Sequence, residues 1–206
     1  MFVWPRNAMN LPADVWPAER VRAWTTALDA LAAAGAAAVA ATAQRDLLAG
    51  TADALTGRFA DWVIVDVSPL GPASRSVAGS QREPELAAAV AELSVRGCPM
   101  IVSAMAQRTP LVRASMADPA ELGILPGGRR VVDAFGAGSY AVSPIMAGES
   151  AIGAITIVRG NSQPHVTFLE LNVLAHIADL TAGAIERLSG PASSPGANGQ
   201  DLQDAP

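Results

Sequence analysis

The residues best equipped for nucleophilic or proton-transfer chemistry are few: one cysteine, Cys98, one tyrosine, Tyr140, and two histidines, His165 and His176. Cys98 precedes Pro99 in an apolar stretch and reads as a small core residue. A single cysteine excludes an internal disulfide framework and any multi-cysteine metal site. With two histidines beside it, the ligand count is too small for an ordinary structural zinc site, so no metal is expected. Glu170, His176 and Asp179 lie close in sequence, but the three do not share one helical face, and no acid–base set follows from them. The pairs Gly127-Gly128 and Gly136/Gly138 do not follow a strand and open a long helix, as a phosphate cradle requires, and read as hinges. No catalytic constellation emerges. What remains is a set of polar groups suited to ligand contact: Arg113, Ser115, Asp133, Ser139, Tyr140 and Thr156.

Three of these, Ser139, Tyr140 and Thr156, sit in a hairpin, "SYAVSPIMAGESAIGAITIVRG" (139–160), whose strands are apolar on both faces. Antiparallel sheets commonly leave one face wet, so both faces of this one must be covered. Alternation puts Tyr140 and Val142 on one face, and Ile152, Ala154 and Thr156 on one face of the partner strand. Whether the two faces coincide depends on the turn. "WVIVDV" (62–67) is a further buried strand, and "SRSVAGS" and "LVRASM" are shorter ones.

Helices supply the covers. Pro17 and Glu19 signal a helix start, after which Val21, Trp24, Leu28 and Leu31 recur at 3–4 spacing and continue as Gly35, Ala38 and Thr42. This alanine-rich segment, 18–43, serves either as a cover for its own domain or as a dimerisation element. Residues 44–62 form a second helical segment with Leu47, Leu48, Ala52, Leu55 and Phe59 on one side. Residues 165–188 are the clearest helix, with Thr167 and Glu170 spaced as a capping box. The stretch 83–135 holds only short helices and glycine-rich loops; as a roof over the second sheet face it is expected to pack imperfectly and leave a cavity. Residues 1–17, with Trp4 and Trp16, read as an arm, and the Ser/Pro/Gly-rich 189–206 as a disordered tail.

The bulk numbers narrow the function classes. In 206 residues, half are hydrophobic and 16% charged, enough for a sizeable core. A net charge of −5, with fourteen arginines, no lysine and no basic cluster, argues against nucleic acid as a partner. The run 28–43 imitates a membrane span, but it is mostly alanine and includes Asp29. No membrane association is therefore expected, and a cytoplasmic location is the default.

Taken together, "LLAGTADALTGRFADWVIVDV", "SYAVSPIMAGESAIGAITIV" and "FLELNVLAHIADLTAGAIERL" resemble a GAF domain over residues 44–188, and "MAQRTPLV" is similar to GAF modules of actinobacterial sensor phosphatases. The resemblance implies an α+β fold with a central antiparallel sheet of about six strands. The N- and C-terminal helices would cover one face, and short helices and loops the other. It also implies a regulatory role: binding a small molecule, forming a homodimer, or both, and signalling to a partner protein. The chain departs from the special subtypes. It has no lysine for a cyclic-nucleotide signature, too few cysteines for the methionine sulfoxide reductase chemistry, and no suitably placed cysteine or histidine for bilin or haem, so no cofactor is expected. The alternatives are a GAF-fold enzyme acting on a small apolar substrate and a purely structural dimerisation module.

Overall fold

The computed structural model describes residues 18–57, 59–67, 74–79, 83–113 and 120–190. The arm, most of the tail and Ser115 fall outside them. Two long strands, β4 (Ala137–Ala147) and β5 (Ser150–Gly160), form the expected antiparallel hairpin. The hairpin turns at Gly148, whose φ of 57° is the left-handed conformation glycine adopts without penalty. Strand β1 (Trp62–Val67) lies antiparallel to β5 and also pairs with β2 (Ser74–Gly79). Strand β3 (Leu111–Arg113) closes the other edge, giving the order β2-β1-β5-β4-β3. Five strands thus stand, among the described residues, where about six are expected.

Every residue of β1 is buried, because the sheet has a core on each side. Alternation directs Val63, Val65, Ala141, Ile145, Ile155 and Ile157 to one core, and Trp62, Ile64, Tyr140, Val142, Ala154 and Val158 to the other. The first is covered by α1 (Ala18–Ala40), α2 (Gln44–Leu55) and α6 (Phe168–Ser189). Helix α6 opens with the predicted capping box: the Thr167 hydroxyl accepts from the Glu170 N–H, and the Glu170 carboxylate accepts from the Thr167 N–H. Helix α2 is shorter than the 44–62 segment. Thr56 turns extended (ψ 140°), and Phe59 reaches the core from the following loop.

Helix α1 divides the stripe that the sequence left open between a cover and a dimerisation element. The residues buried against its neighbours are Ala27, Ala30, Ala34 and Ala38. The bulky Val21, Trp24 and Leu28 face outward, 50%, 36% and 55% exposed. Methyl-sized side chains allow α1 to approach α2 and α6 closely, whereas the larger residues do not fit there. By length and composition, both Val21–Ala40 and Phe168–Ser189 would suffice to cross a membrane. Here α6 is a core helix of the sheet, and α1 lies along α2 and α6 with most of its surface open.

The second face is roofed by α3 (Pro84–Ala91), a 3-10 turn (Val95–Gly97), α4 (Pro99–Gln107) and α5 (Val131–Ala134). The roof is tighter than its loop-rich sequence suggests. Val90, Met100, Ile101, Ala104, Leu122, Val131 and Val132 are all buried, and Trp62 stacks on Phe135 with ring centroids 4.3 Å apart. Short helices suffice because each contributes one or two large residues to the same cluster. A cavity is expected under the roof; the groove that the described residues form, open and of about 610 Å³, lies instead at the β2 edge, lined by Asp53, Thr56, Val77, Gly79, Glu83 and Ala87 among others.

Candidate functional site

The strand register arranges the roof-facing side chains in rows running across the sheet. Arg75, Asp66, Ala154 and Pro144 form one row; Val77, Ile64, Thr156 and Val142 the next; Gly79, Trp62, Val158 and Tyr140 the third, extended by Arg113 on β3. Tyr140 and Thr156 therefore do share a face. Ile152 does not share it: a β-bulge opposite Ile145 and Met146 resets the alternation, and Ile152 packs against the helix-side core while Ala154 faces the roof.

Two polar clusters are embedded in this otherwise apolar face. In the first, Arg75 Nε donates to Asp66 Oδ1 at 2.5 Å, Nη1 to the Val90 carbonyl at 3.1 Å, and Nη2 to Cys98 Sγ at 3.7 Å. The Cys98 thiol in turn donates to the Leu122 carbonyl at 3.3 Å. Both charged side chains are almost fully buried, 5% and 2% exposed. Burial drives the Asp66 carboxyl above its ordinary range, against the pull of Arg75. Burial likewise raises the Cys98 thiol, with the Arg75 charge opposing, so the sulfur is a protonated packing atom and not a ready nucleophile. Arg75 anchors the sheet edge to α3 and the segment before α4.

In the second cluster, Glu121 gathers two of the predicted residues. Its Oε1 accepts from Arg113 Nε at 3.3 Å, and its Oε2 accepts from the Tyr140 hydroxyl. On this face, among the described residues, Asp66 Oδ2 of the first cluster and Thr156 Oγ1 have no hydrogen-bond partner, and both are sealed from solvent. Buried polar atoms are rarely left in this state, since each costs about 1–3 kcal/mol.

The other predicted residues divide. Ser139 faces the helix side, where its hydroxyl accepts from the Val166 N–H at 3.1 Å and fixes the approach to α6. Asp133 pairs with Arg130 at 2.5 Å on the partly exposed edge of α5, away from both clusters. His176 and Asp179 lie 3.9 Å apart on the solvent side of α6, while Glu170 is buried on the opposite side against Arg159. Asp66, Arg75 and Glu121 were not among the sequence candidates. The signal was present for one of them: Asp66 is the single charge in an otherwise apolar strand.

Among the described residues, no group of three or more His, Cys, Asp or Glu side chains is placed to hold a metal ion. The clusters tie the roof to the sheet; they offer no nucleophile paired with a base.

The GAF domain family model matches residues 21–185. Among solved structures, the chain is similar to the GAF domain of a phosphoenolpyruvate-protein phosphotransferase from Acinetobacter, at 13% identity and a TM-score of 0.59, covering 81% of this chain and 96% of that one. A methyl-accepting chemotaxis protein fragment gives 16% identity and a TM-score of 0.57, covering 76% and 96%. The free methionine-R-sulfoxide reductase from Neisseria meningitidis gives 16% and 0.54, covering 79% and 89%. At these identities the likeness concerns the fold. No curated protein matches the chain.

Proposed function

The chain belongs to the GAF domain family, and from that premise we propose that it is a regulatory module which binds a small molecule in the groove at its β2 edge and passes the signal to a partner protein as a homodimer. GAF domains are typically sensory or regulatory, and the open groove of about 610 Å³ at the β2 edge is the observation that carries the ligand reading. Asp53, Thr56 and Glu83 set polar groups on its wall beside the apolar Val77 and Ala87. A guest that satisfies them stabilises the arrangement of roof and sheet it fits, and shifts the population toward it.

Dimerisation rests on α1. Val21, Trp24, Leu28 and Val39 lie along its open side, and Val39 is 80% exposed. Its 23 residues make a rod of about 35 Å. Leu180 of α6 is also exposed and lies against Gly35, which continues the apolar surface onto the second helix. Such a stripe matches a second copy of itself, because only Arg22 and Asp29 interrupt the 21–40 segment with charge.

Melting of the full chain against a metabolite library tests the ligand reading: a native-state ligand raises Tm with concentration. A library that leaves Tm unmoved, together with a native mass spectrum of bare protein, overturns it. Light scattering on a size-exclusion column tests the dimer, and a monomer at all concentrations overturns that part.

A further inference from the structure

We infer that the groove at the β2 edge takes a short basic peptide in extended form, with two adjacent cationic side chains reaching Asp53 on one wall and Glu83 on the other. The inference rests on the ligand reading above and specifies the guest for that same groove.

Three observations lead to it. The first is what forms the floor. Val77, Ala78 and Gly79 of β2 all line the groove, although consecutive strand residues point to opposite faces. Val77 packs against the roof-side core and Ala78 against the helix-side core. A groove that touches both faces meets the strand edge-on. Strand β2 is outermost in the sheet and pairs only with β1. Among the described residues, no group outside β1 hydrogen-bonds the backbone of these three. Their outward N–H and C=O groups are a template for one more strand. Three residues offer about 10 Å of edge, the length of a tripeptide.

The second observation is charge. Asp53 stands on the wall made by α2 and Glu83 on the wall that leads into α3. Among the described residues neither carboxylate makes an ion pair, and none of those lining the groove is cationic. Asp53 also lies in the last turn of α2, where the helix dipole disfavours a carboxylate and favours a cation. A second copy offering its own β2 edge would set carboxylates against carboxylates. The segment 191–206, with Asp201 and Asp204 and no basic residue, has the wrong sign as well. A basic guest complements the groove. The third observation is period. In a segment laid along β2, adjacent side chains turn to opposite walls. Two neighbouring basic residues therefore reach both carboxylates, whereas two separated by one residue crowd a single wall.

Four tripeptides, acetylated and amidated at their ends, test this on the full-length chain at low salt: Ala-Arg-Arg, Arg-Ala-Arg, Ala-Glu-Glu, and Ala-Arg-Arg methylated on its backbone nitrogens. Binding is read by calorimetric titration and by NMR shifts of the β2 amides. Ala-Arg-Arg is expected to bind about fivefold more tightly than its isomer Arg-Ala-Arg, the worth of one exposed ion pair. The acidic and the methylated peptides are expected not to bind. Asp53 and Glu83 are exposed, so Asp53→Asn and Glu83→Gln should leave the fold intact, and each is expected to erase the preference between the isomers. Equal binding of the isomers overturns the inference, as does a preference that survives both variants, tolerance of backbone methylation, or no binding by any tripeptide. A longer peptide with the same Arg-Arg step that binds far more tightly than the tripeptide assigns the groove to a partner's chain and overturns the free ligand. If a library metabolite binds and shifts the β2 amides while no tripeptide does, the peptide assignment falls and the ligand reading survives. If nothing binds, both fall.

Discussion

The strongest single anchor on the helix side is Arg159. Both its Nε and Nη2 donate to the Phe59 carbonyl, Nη1 and Nη2 reach the two Glu170 carboxylate oxygens at 3.1 and 2.6 Å, and the guanidinium lies 5.7 Å from the Phe59 ring centre. The loop after α2, strand β5 and the start of α6 are thereby tied at one point. Glu170→Ala strands a buried cation, and a loss of about 3–5 kcal/mol in denaturant unfolding is expected. Burial pushes the Glu170 carboxyl upward, but hydrogen bonds from Arg159 and from the Thr167 backbone outweigh it and hold the group below its ordinary value of 4.5. A lowered folded-state pKa contributes stability that is complete above about 4.5 and is lost as the pH falls through the folded value. Unfolding measured from pH 7 to pH 3 is expected to show this acid loss in the wild type and a shallower one in Glu170→Gln. Gly153 is fixed by a different constraint. A Cβ there would lie 2.1 Å from the Asp66 carbonyl oxygen, so Gly153→Ala forces β1 and β5 apart at the strand pair carrying Asp66. A cost of about 2 kcal/mol is expected by the same unfolding assay.

Among the elements, α1 and α6 make separable predictions. Leu28→Glu on the open side of α1 is expected to convert the proposed dimer to monomer in light scattering, while changing fold stability by no more than about 0.5 kcal/mol. Thr167→Ala removes half of the α6 capping box and is expected to cost about 1 kcal/mol without altering the oligomeric state. The sequence already disclosed α6, its cap, the hairpin and β1, because each carries a long unambiguous period or a fixed capping pair. It did not disclose which stripe of α1 faces inward. Bulk alone favours burying Val21, Trp24 and Leu28, whereas the close approach of α2 and α6 accepts only alanines. The candidate site was legible in part. Tyr140, Thr156 and Arg113 share the roof face, but Ser139 turns to the other side by the alternation of β4. Asp66, Arg75 and Glu121 acquire their roles only through strand pairing and loop closure, which no local pattern encodes.

For the molecule as a whole, the sheet separates two cores of unequal strength. The helix-side core is built from two helices of 22 and 23 residues and a third of 12, whereas the roof depends on pieces of nine residues or fewer. Helix α3 buries only Val90. Local opening is cheapest where buried apolar contacts are fewest, so amides of α3 and α4 are expected to exchange hydrogen faster than those of β5 and α6. Equal protection on both sides would overturn this ranking of the two cores. A ligand that clamps the roof should slow exchange there first.

The alanine seam of α1 has one more consequence. Large side chains interlock like teeth and hold a helix in register, but the methyl groups of Ala27, Ala30, Ala34 and Ala38 present a nearly smooth track. Arg187 Nη2, donating to the Ala38 carbonyl at 2.6 Å, and the short link 41–43 to α2 fasten the C-terminal end of α1. Its N-terminal end is kept by methyl contacts, so it is expected to lift from α2 and α6 first, its amides losing protection from hydrogen exchange before those near Ala38.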